Sequence, residues 1–214
     1  MNRSILAVLA LAAAAVAQAA EDKTFVLTSI GGVDAALTER IRTHLEESSG
    51  VVVRPAPALA AEPGQTLEAL GRAAAQTLGE NDHSVIVLAR PGADQPQGVC
   101  LPRERFGILN LDRLEANDPD GKFERRVGQD ALRVMTMLLD MSPCPFPLCL
   151  LVGYEKTEDL DQMSGNFCPP CQERFARLAR EAGLRFVEKP EAGAEAAPAA
   201  GPVPAEAPAP AAAE

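Results

Sequence analysis

QDALRVMTMLLDMSPC, residues Gln129 to Cys144, decides how this 214-residue chain folds. Apolar residues recur through it at Ala131, Val134, Leu138 and Met141, with Val127 just ahead and Met135 and Leu139 alongside. That spacing predicts a buried helix. Asp118 and Asp120 upstream are candidate N-terminal caps, and Pro143 is the expected stop. The helix then runs straight into the first of four paired cysteines.

The cysteines fall as Cys144-x4-Cys149 and Cys168-x2-Cys171, with eighteen residues between the pairs. Two short-spaced pairs on knuckle-like loops suit a tetrahedral four-sulfur zinc site. An oxidising compartment would offer disulfides instead, as Cys144–Cys149 and Cys168–Cys171 or in cross-pairings. The proline-rich surroundings, Cys144-Pro-Phe-Pro and Cys168-Pro-Pro-Cys171, are compatible with both.

The same region resembles the archaemetzincins, a family of zinc metallopeptidases with the pattern H-E-x-x-H-x-x-G-x-x-H-C-x4-C-x-M followed by C-x2-C. QDALRVMTMLLDMSPC lies against that pattern without a gap, and all four cysteines fall into place. FGILNLDRL (Phe106 to Leu114) is similar to the family's strand and its following R-L. EDLDQMSGNFCPPC (Glu158 to Cys171) is similar to its closing E-x-x-D and F-C-x-x-C. The resemblance covers about residues 103 to 180. It implies a single metzincin-like α/β domain: a mixed sheet with helices, then the core helix, then a four-cysteine C-terminal subdomain. It also implies one structural zinc on Cys144, Cys149, Cys168 and Cys171.

It does not carry over the chemistry. The positions of the three metal histidines hold Arg133, Met137 and Pro143. Val134 stands at the general-base glutamate, Asp140 at the glycine and Leu151 at the methionine after the second cysteine. Catalytic zinc needs three side chains with free lone pairs and an open position for water. Arginine is a permanent cation and cannot ligate. Valine cannot take a proton. The expectation is a fold without catalytic residues.

Outward from this core, the ends differ in composition. MNRSILAVLALAAAAVAQAAEDK opens with Arg3, runs apolar from Ile5 to Val16 and offers Ala17-Gln18-Ala19 as a cleavage site. Residues 1–20 therefore read as a secretory signal peptide, the apolar run being short for a membrane span. Export to the periplasm or the exterior follows. Residues 189–214 are nearly all Ala, Pro, Glu and Gly, and read as a disordered tail. The remainder, 21–188, suits one domain.

Within it, strands are expected at Phe25–Ile30, Gly50–Arg54, Ser84–Ala89 and Phe106–Leu111. Helices are expected at Asp34–Ser48, Thr66–Leu78 and Pro169–Ala182. Such alternation indicates an α/β sheet with helices on at least one face. Prolines at 91, 96 and 102 make Gly92–Arg105 a loop or an irregular edge strand. Leu184–Val187 reads as a short last strand.

Net charge is −10, which argues against a nucleic-acid surface. The two histidines, His44 and His83, lie far upstream of the core helix and not at ligand spacing. Three functional classes follow: a non-catalytic domain kept for binding or for structure, a metallopeptidase with atypical ligands, or another enzyme built around Cys100, with His83 as its candidate partner, or around the vestigial cleft. Arg133 has Asp130 and Asp140 as candidate partners, and the sequence is equally compatible with its facing the pocket of a former metal site or lying solvated on the helix surface.

Overall fold

The computed structural model describes residues 23–188 apart from Pro63, Asn117, Pro119 and Asp120. The expected signal segment, the tail and the cap at Asp120 lie outside the described residues. No helix among those described is long and apolar enough to cross a membrane.

Strands β1 (Thr24–Ile30), β2 (Val53–Pro55), β3 (Asp82–Ala89), β4 (Gly98–Leu101) and β5 (Phe106–Asn110) form one sheet in the order β2-β1-β3-β5-β4. Four run parallel, and β4 is antiparallel to β5 at the edge, with Cys100 opposite Gly107. The proline-rich segment thus does contain an edge strand, confined to the four residues between Gln97 and Pro102. The α-helices among the described residues are α1 (Ala35–Ser49), α2 (Leu67–Ala75), α3 (Leu111–Glu115), α4 (Phe123–Met137) and α5 (Pro169–Glu181).

The central strands are buried on both faces, which is why they read as continuous apolar runs. Phe25, Leu27, Ile86, Leu88 and Leu109 pack towards α1, α4 and α5. Val26, Ile30, Val85, Val87, Phe106 and Ile108 pack towards α2 on the other side. The strand period of two therefore divides the core into two layers.

Caps set the helix limits. Asp34 accepts hydrogen bonds from Ala36 N at 3.1 Å and Leu37 N at 3.3 Å, and Gly50 ends α1 at φ 72°. Helix α2 stops at Ala75, short of Leu78, because Thr77 Oγ1 donates to the Ala74 carbonyl at 2.8 Å. Asp118 accepts from Lys122 N and Phe123 N, both at 2.7 Å, at the start of α4. The last strand is reduced to two isolated bridges, Lys23 with Leu184 and Val51 with Phe186.

Helix α4 does not run to the proline. It ends at Met137, and Pro143 lies in an extended segment beyond. The stop is a Schellman motif. Asp140 takes φ 55°, its N–H bonds Met137 O at 2.9 Å, and Met141 N bonds Thr136 O at 3.1 Å. The helix sits on the sheet at Gly107 of β5. A Cβ added there would lie 2.2 Å from Val134 Cγ1, so only glycine admits the valine at this depth.

Candidate functional site

Two neighbouring sites are built from the end of α4 and the segment after it. The first is the cysteine cluster. Cys144 follows the Schellman turn, and its N–H bonds Leu151 O at 2.9 Å. Cys149 sits in the next turn. Cys168 caps α5, and Cys171 lies in its first turn behind Pro169 and Pro170. The four Sγ atoms lie within 4.8 Å of one another, with Cys144 and Cys168 at 3.8 Å. A tetrahedron with ~2.3 Å Zn–S bonds has edges of about 3.8 Å, so the cluster fits one zinc ion.

The sulfurs are placed as thiolates want to be. Phe146 N points at Cys144 Sγ and Leu151 N at Cys149 Sγ, each at 3.5 Å, and Cys168 N also reaches Cys149 Sγ at 3.5 Å. None of the four is in a disulfide. Burial and the three neighbouring thiols push the Cys171 thiol up. A dication at the centre reverses that sign, since it favours every thiolate at once. The cluster ties the end of α4 to the start of α5.

The second site is a cleft of about 340 Å³ between β4 and α4, lined by residues that include Cys100, Asp130, Val134, Met137 and Tyr154. Arg133 does not point into bulk water. Its side chain is 12% exposed, and its Nη1 donates to Leu150 O and, at 2.8 Å, to Val152 O. Its Cζ lies 4.7 Å from the Tyr154 ring centre and its Nε 3.9 Å from Asp130 Oδ1. Asp130 is thus its acidic neighbour. Asp140 lines a different hollow, with His83 and Arg105.

Asp130 and Tyr154 carry the polar chemistry of the cleft, together with Gln97. Tyr154 Oη donates to Asp130 Oδ1 at 2.9 Å, and Gln97 Nε2 reaches Tyr154 Oη at 2.6 Å and Asp130 Oδ2 at 3.3 Å. Thr157 Oγ1 donates to Gln97 Oε1 at 2.8 Å. Burial raises the Asp130 carboxyl above its ordinary range, and these donors and Arg133 oppose it. Burial, then the Asp130 charge, raises the Tyr154 phenol. Sequence reading found Asp130 only as a partner for Arg133. It passed over Gln97 and Tyr154, although Tyr154 is the single tyrosine of the chain.

The remaining chemical candidates separate. Cys100 lines the cleft, with its thiol pushed up to about 12 by burial and then by Asp140. His83 lines the other hollow, its ring 5.2 Å from that of Phe25 and its Nδ1 3.0 Å from Ser84 Oγ. Burial holds it down to about 4. A nucleophile needs a lowered thiol and a base in reach, and Cys100 has no lowered thiol. Val134 is 6% exposed on its glycine seat and Met137 is 44% exposed at the rim. Arg133, Val134 and Met137 do not fit a catalytic metal and its base. Among the described residues, the four cysteines form the one group of three or more His, Cys, Asp or Glu side chains able to hold an ion.

Similar architecture occurs in solved structures. An archaemetzincin from Methanopyrus kandleri superposes with a TM-score of 0.60 at 18% identity, over 74% of this chain and 97% of that one. The fold is that of an archaemetzincin. A zinc-dependent peptidase from Methanocorpusculum labreanum shares it at a TM-score of 0.56 and 14% identity, over 71% of this chain and 99% of that one. An archaemetzincin from Archaeoglobus fulgidus, solved with malonate, gives 0.56 at 15% identity, again over 71% and 99%. No family model and no curated protein matches the chain. The archaemetzincin fold accounts for the sheet, the core helix and the cysteine-bearing C-terminal region as one unit.

Proposed function

We propose that this chain is an exported, non-catalytic relative of the zinc peptidases whose fold it has, kept to bind a protein or peptide. One structural zinc is held by Cys144, Cys149, Cys168 and Cys171. The observation that carries this reading is the fate of Arg133. A guanidinium engaged with two backbone carbonyls, an aromatic ring and a carboxylate stands on the helix face where a metal ligand would be needed. Met137, one turn on, adds a thioether. A hydrolytic zinc would have neither its ligands nor a base for its water.

A binding role draws support from exposed apolar side chains on the cysteine-bearing turn. Phe146 and Leu148, between Cys144 and Cys149, are 49% and 67% exposed. Large apolar side chains exposed on a turn suit protein or peptide recognition.

The test is cleavage of unstructured peptides by the mature chain with added zinc, beside an Arg133→Ala variant. No cleavage by either is expected. Chelator-sensitive cleavage that disappears when residues 133–137 are altered would establish an active peptidase with atypical ligands. For export, mass spectrometry of the secreted chain should place its first residue near Ala20 or Glu21. Retention of Met1 would refute it.

A further inference from the structure

Away from the cleft, α4 lies against α1 at Gly128. A Cβ there would lie 2.8 Å from His44 Cδ2, so the imidazole rests directly on the helix backbone. Beside this contact is a hollow of about 430 Å³, and His44, Gln129, Arg40, Glu124 and Arg125 all line it.

Two atoms set this hollow apart. Among the described residues, His44 Nε2 and Gln129 Oε1 are the buried side-chain nitrogen and oxygen atoms without a hydrogen-bond partner. Both belong to residues of this one hollow. Gln129 is 2% exposed, and its Nε2 donates to Met163 O at 3.3 Å. Flipping the amide would break that bond, so Oε1 is held as an acceptor facing no donor. Buried polar groups are almost always paired, and exceptions call for an explanation.

The rim selects by charge. Arg40 Nε bonds both oxygens of Glu124, at 2.8 and 3.0 Å, and Arg125 Nη2 donates to Met163 O at 2.9 Å. Two guanidiniums against one carboxylate leave net positive charge, which disfavours a metal ion and favours an anion. The volume is within the range of small-molecule sites.

We propose that this hollow binds a small organic carboxylate bearing an adjacent amide N–H or hydroxyl. Both atoms are covered in this structure, so binding includes a small side-chain movement that uncovers them. The donor then pairs with Gln129 Oε1, His44 Nε2 takes a second polar bond, and the carboxylate lies towards Arg40 and Arg125. This site is separate from the cleft and does not depend on whether the chain is a peptidase.

N-acetylglycinate, which has both groups, serves as the probe, with propionate lacking the donor and N-acetylglycine methylamide lacking the charge. Titration into the isotope-labelled mature chain is followed by NMR at the Gln129 side-chain amide and the His44 ring. Saturable shifts at both residues are expected, with dissociation constants of about millimolar or tighter for a probe of this size. Propionate and the methylamide should each bind about tenfold more weakly, as should N-acetylglycinate to Gln129→Met. Arg40→Gln, at a half-exposed rim position, gives a second variant that keeps the fold. It should lose affinity for N-acetylglycinate and not for the methylamide. Absence of saturable shifts at either residue would overturn the proposal, as would equal binding of all three probes. So would a Gln129→Met chain that melts lower yet binds unchanged, since the polar atoms would then be structural and bridged by water.

Discussion

Arg133 of α4 and Tyr154, beyond the cysteine-bearing turn, stack with the guanidinium carbon 4.7 Å from the ring centre. The same guanidinium caps Leu150 O and Val152 O, so one side chain fastens the core helix to the segment following Cys149. Removing it as Arg133→Met would leave two carbonyls without their donor. Unpaired buried groups cost about 1–3 kcal/mol each, so a total loss of about 2–6 kcal/mol is expected in chemical denaturation. Arg133→Lys should recover little, since an ammonium lacks the planar fork. A loss below about 0.5 kcal/mol, as for an ordinary surface residue, would show the contacts to be incidental.

The cysteine cluster should carry one zinc per chain by elemental analysis, with four thiols protected until a chelator is added. Cys144→Ser should lose both metal and stability, because closing a four-thiolate site is itself part of folding. Metal-free protein with two disulfides and undiminished stability would transfer the clamp to the disulfides.

Cys100 should resist alkylation at neutral pH even after zinc is stripped. A thiol at about 12 is almost wholly protonated there, and the thiolate is the reactive form. Labelling should rise only as the pH climbs towards that value. Selective labelling of Cys100 at pH 7 would revive the idea of a nucleophile in the cleft.

Arg126, 2% exposed, grips Asp161 through two parallel bonds of 2.9 and 2.7 Å and also donates to Leu114 O at 3.1 Å. The guanidinium holds the Asp161 carboxyl below the usual carboxylate range. A depressed folded value stabilises the fold above the unfolded value of about 3.9, and that contribution is lost as pH falls through the folded value. Asp161→Asn strands a buried cation and should cost about 3–5 kcal/mol at neutral pH. Denaturation curves of the two proteins should converge in acid below about pH 4; a pH-independent gap would contradict the pairing.

Asp140 holds a left-handed conformation that glycine adopts without steric cost. Asp140→Gly should therefore leave the Schellman turn in place and stabilise the chain by up to about 1 kcal/mol. Destabilisation would mean that the carboxylate itself does something at this turn.

That turn also shows where sequence reading stops. A proline is a conspicuous helix terminator, and Pro143 drew the boundary to itself. The real stop uses backbone bonds from residues 140 and 141, and no glycine marks it. The strands of the central sheet were legible because burial on both faces leaves an unbroken apolar run, as in Val85–Ala89. The cysteine site was legible because its ligands come in local pairs. The cleft was not. Gln97, Asp130 and Tyr154 meet from three separate segments, and the hydrogen-bond acceptors of Arg133 are main-chain oxygens, which no side-chain pattern encodes.

Val134 Cγ1 fills the place that a Cβ on Gly107 would take. The depth of α4 on the sheet is thus set by steric seating at this contact. A helix held from below in this way keeps its height and tilt whatever its upper face displays. An exchange at Met137, exposed at the rim, leaves that seat untouched, and an exchange at Arg133 gives up its carbonyl contacts without redocking the helix on the sheet. The same independence makes that face a graft site, where imidazoles or any other set of side chains can be installed on a backbone already in position.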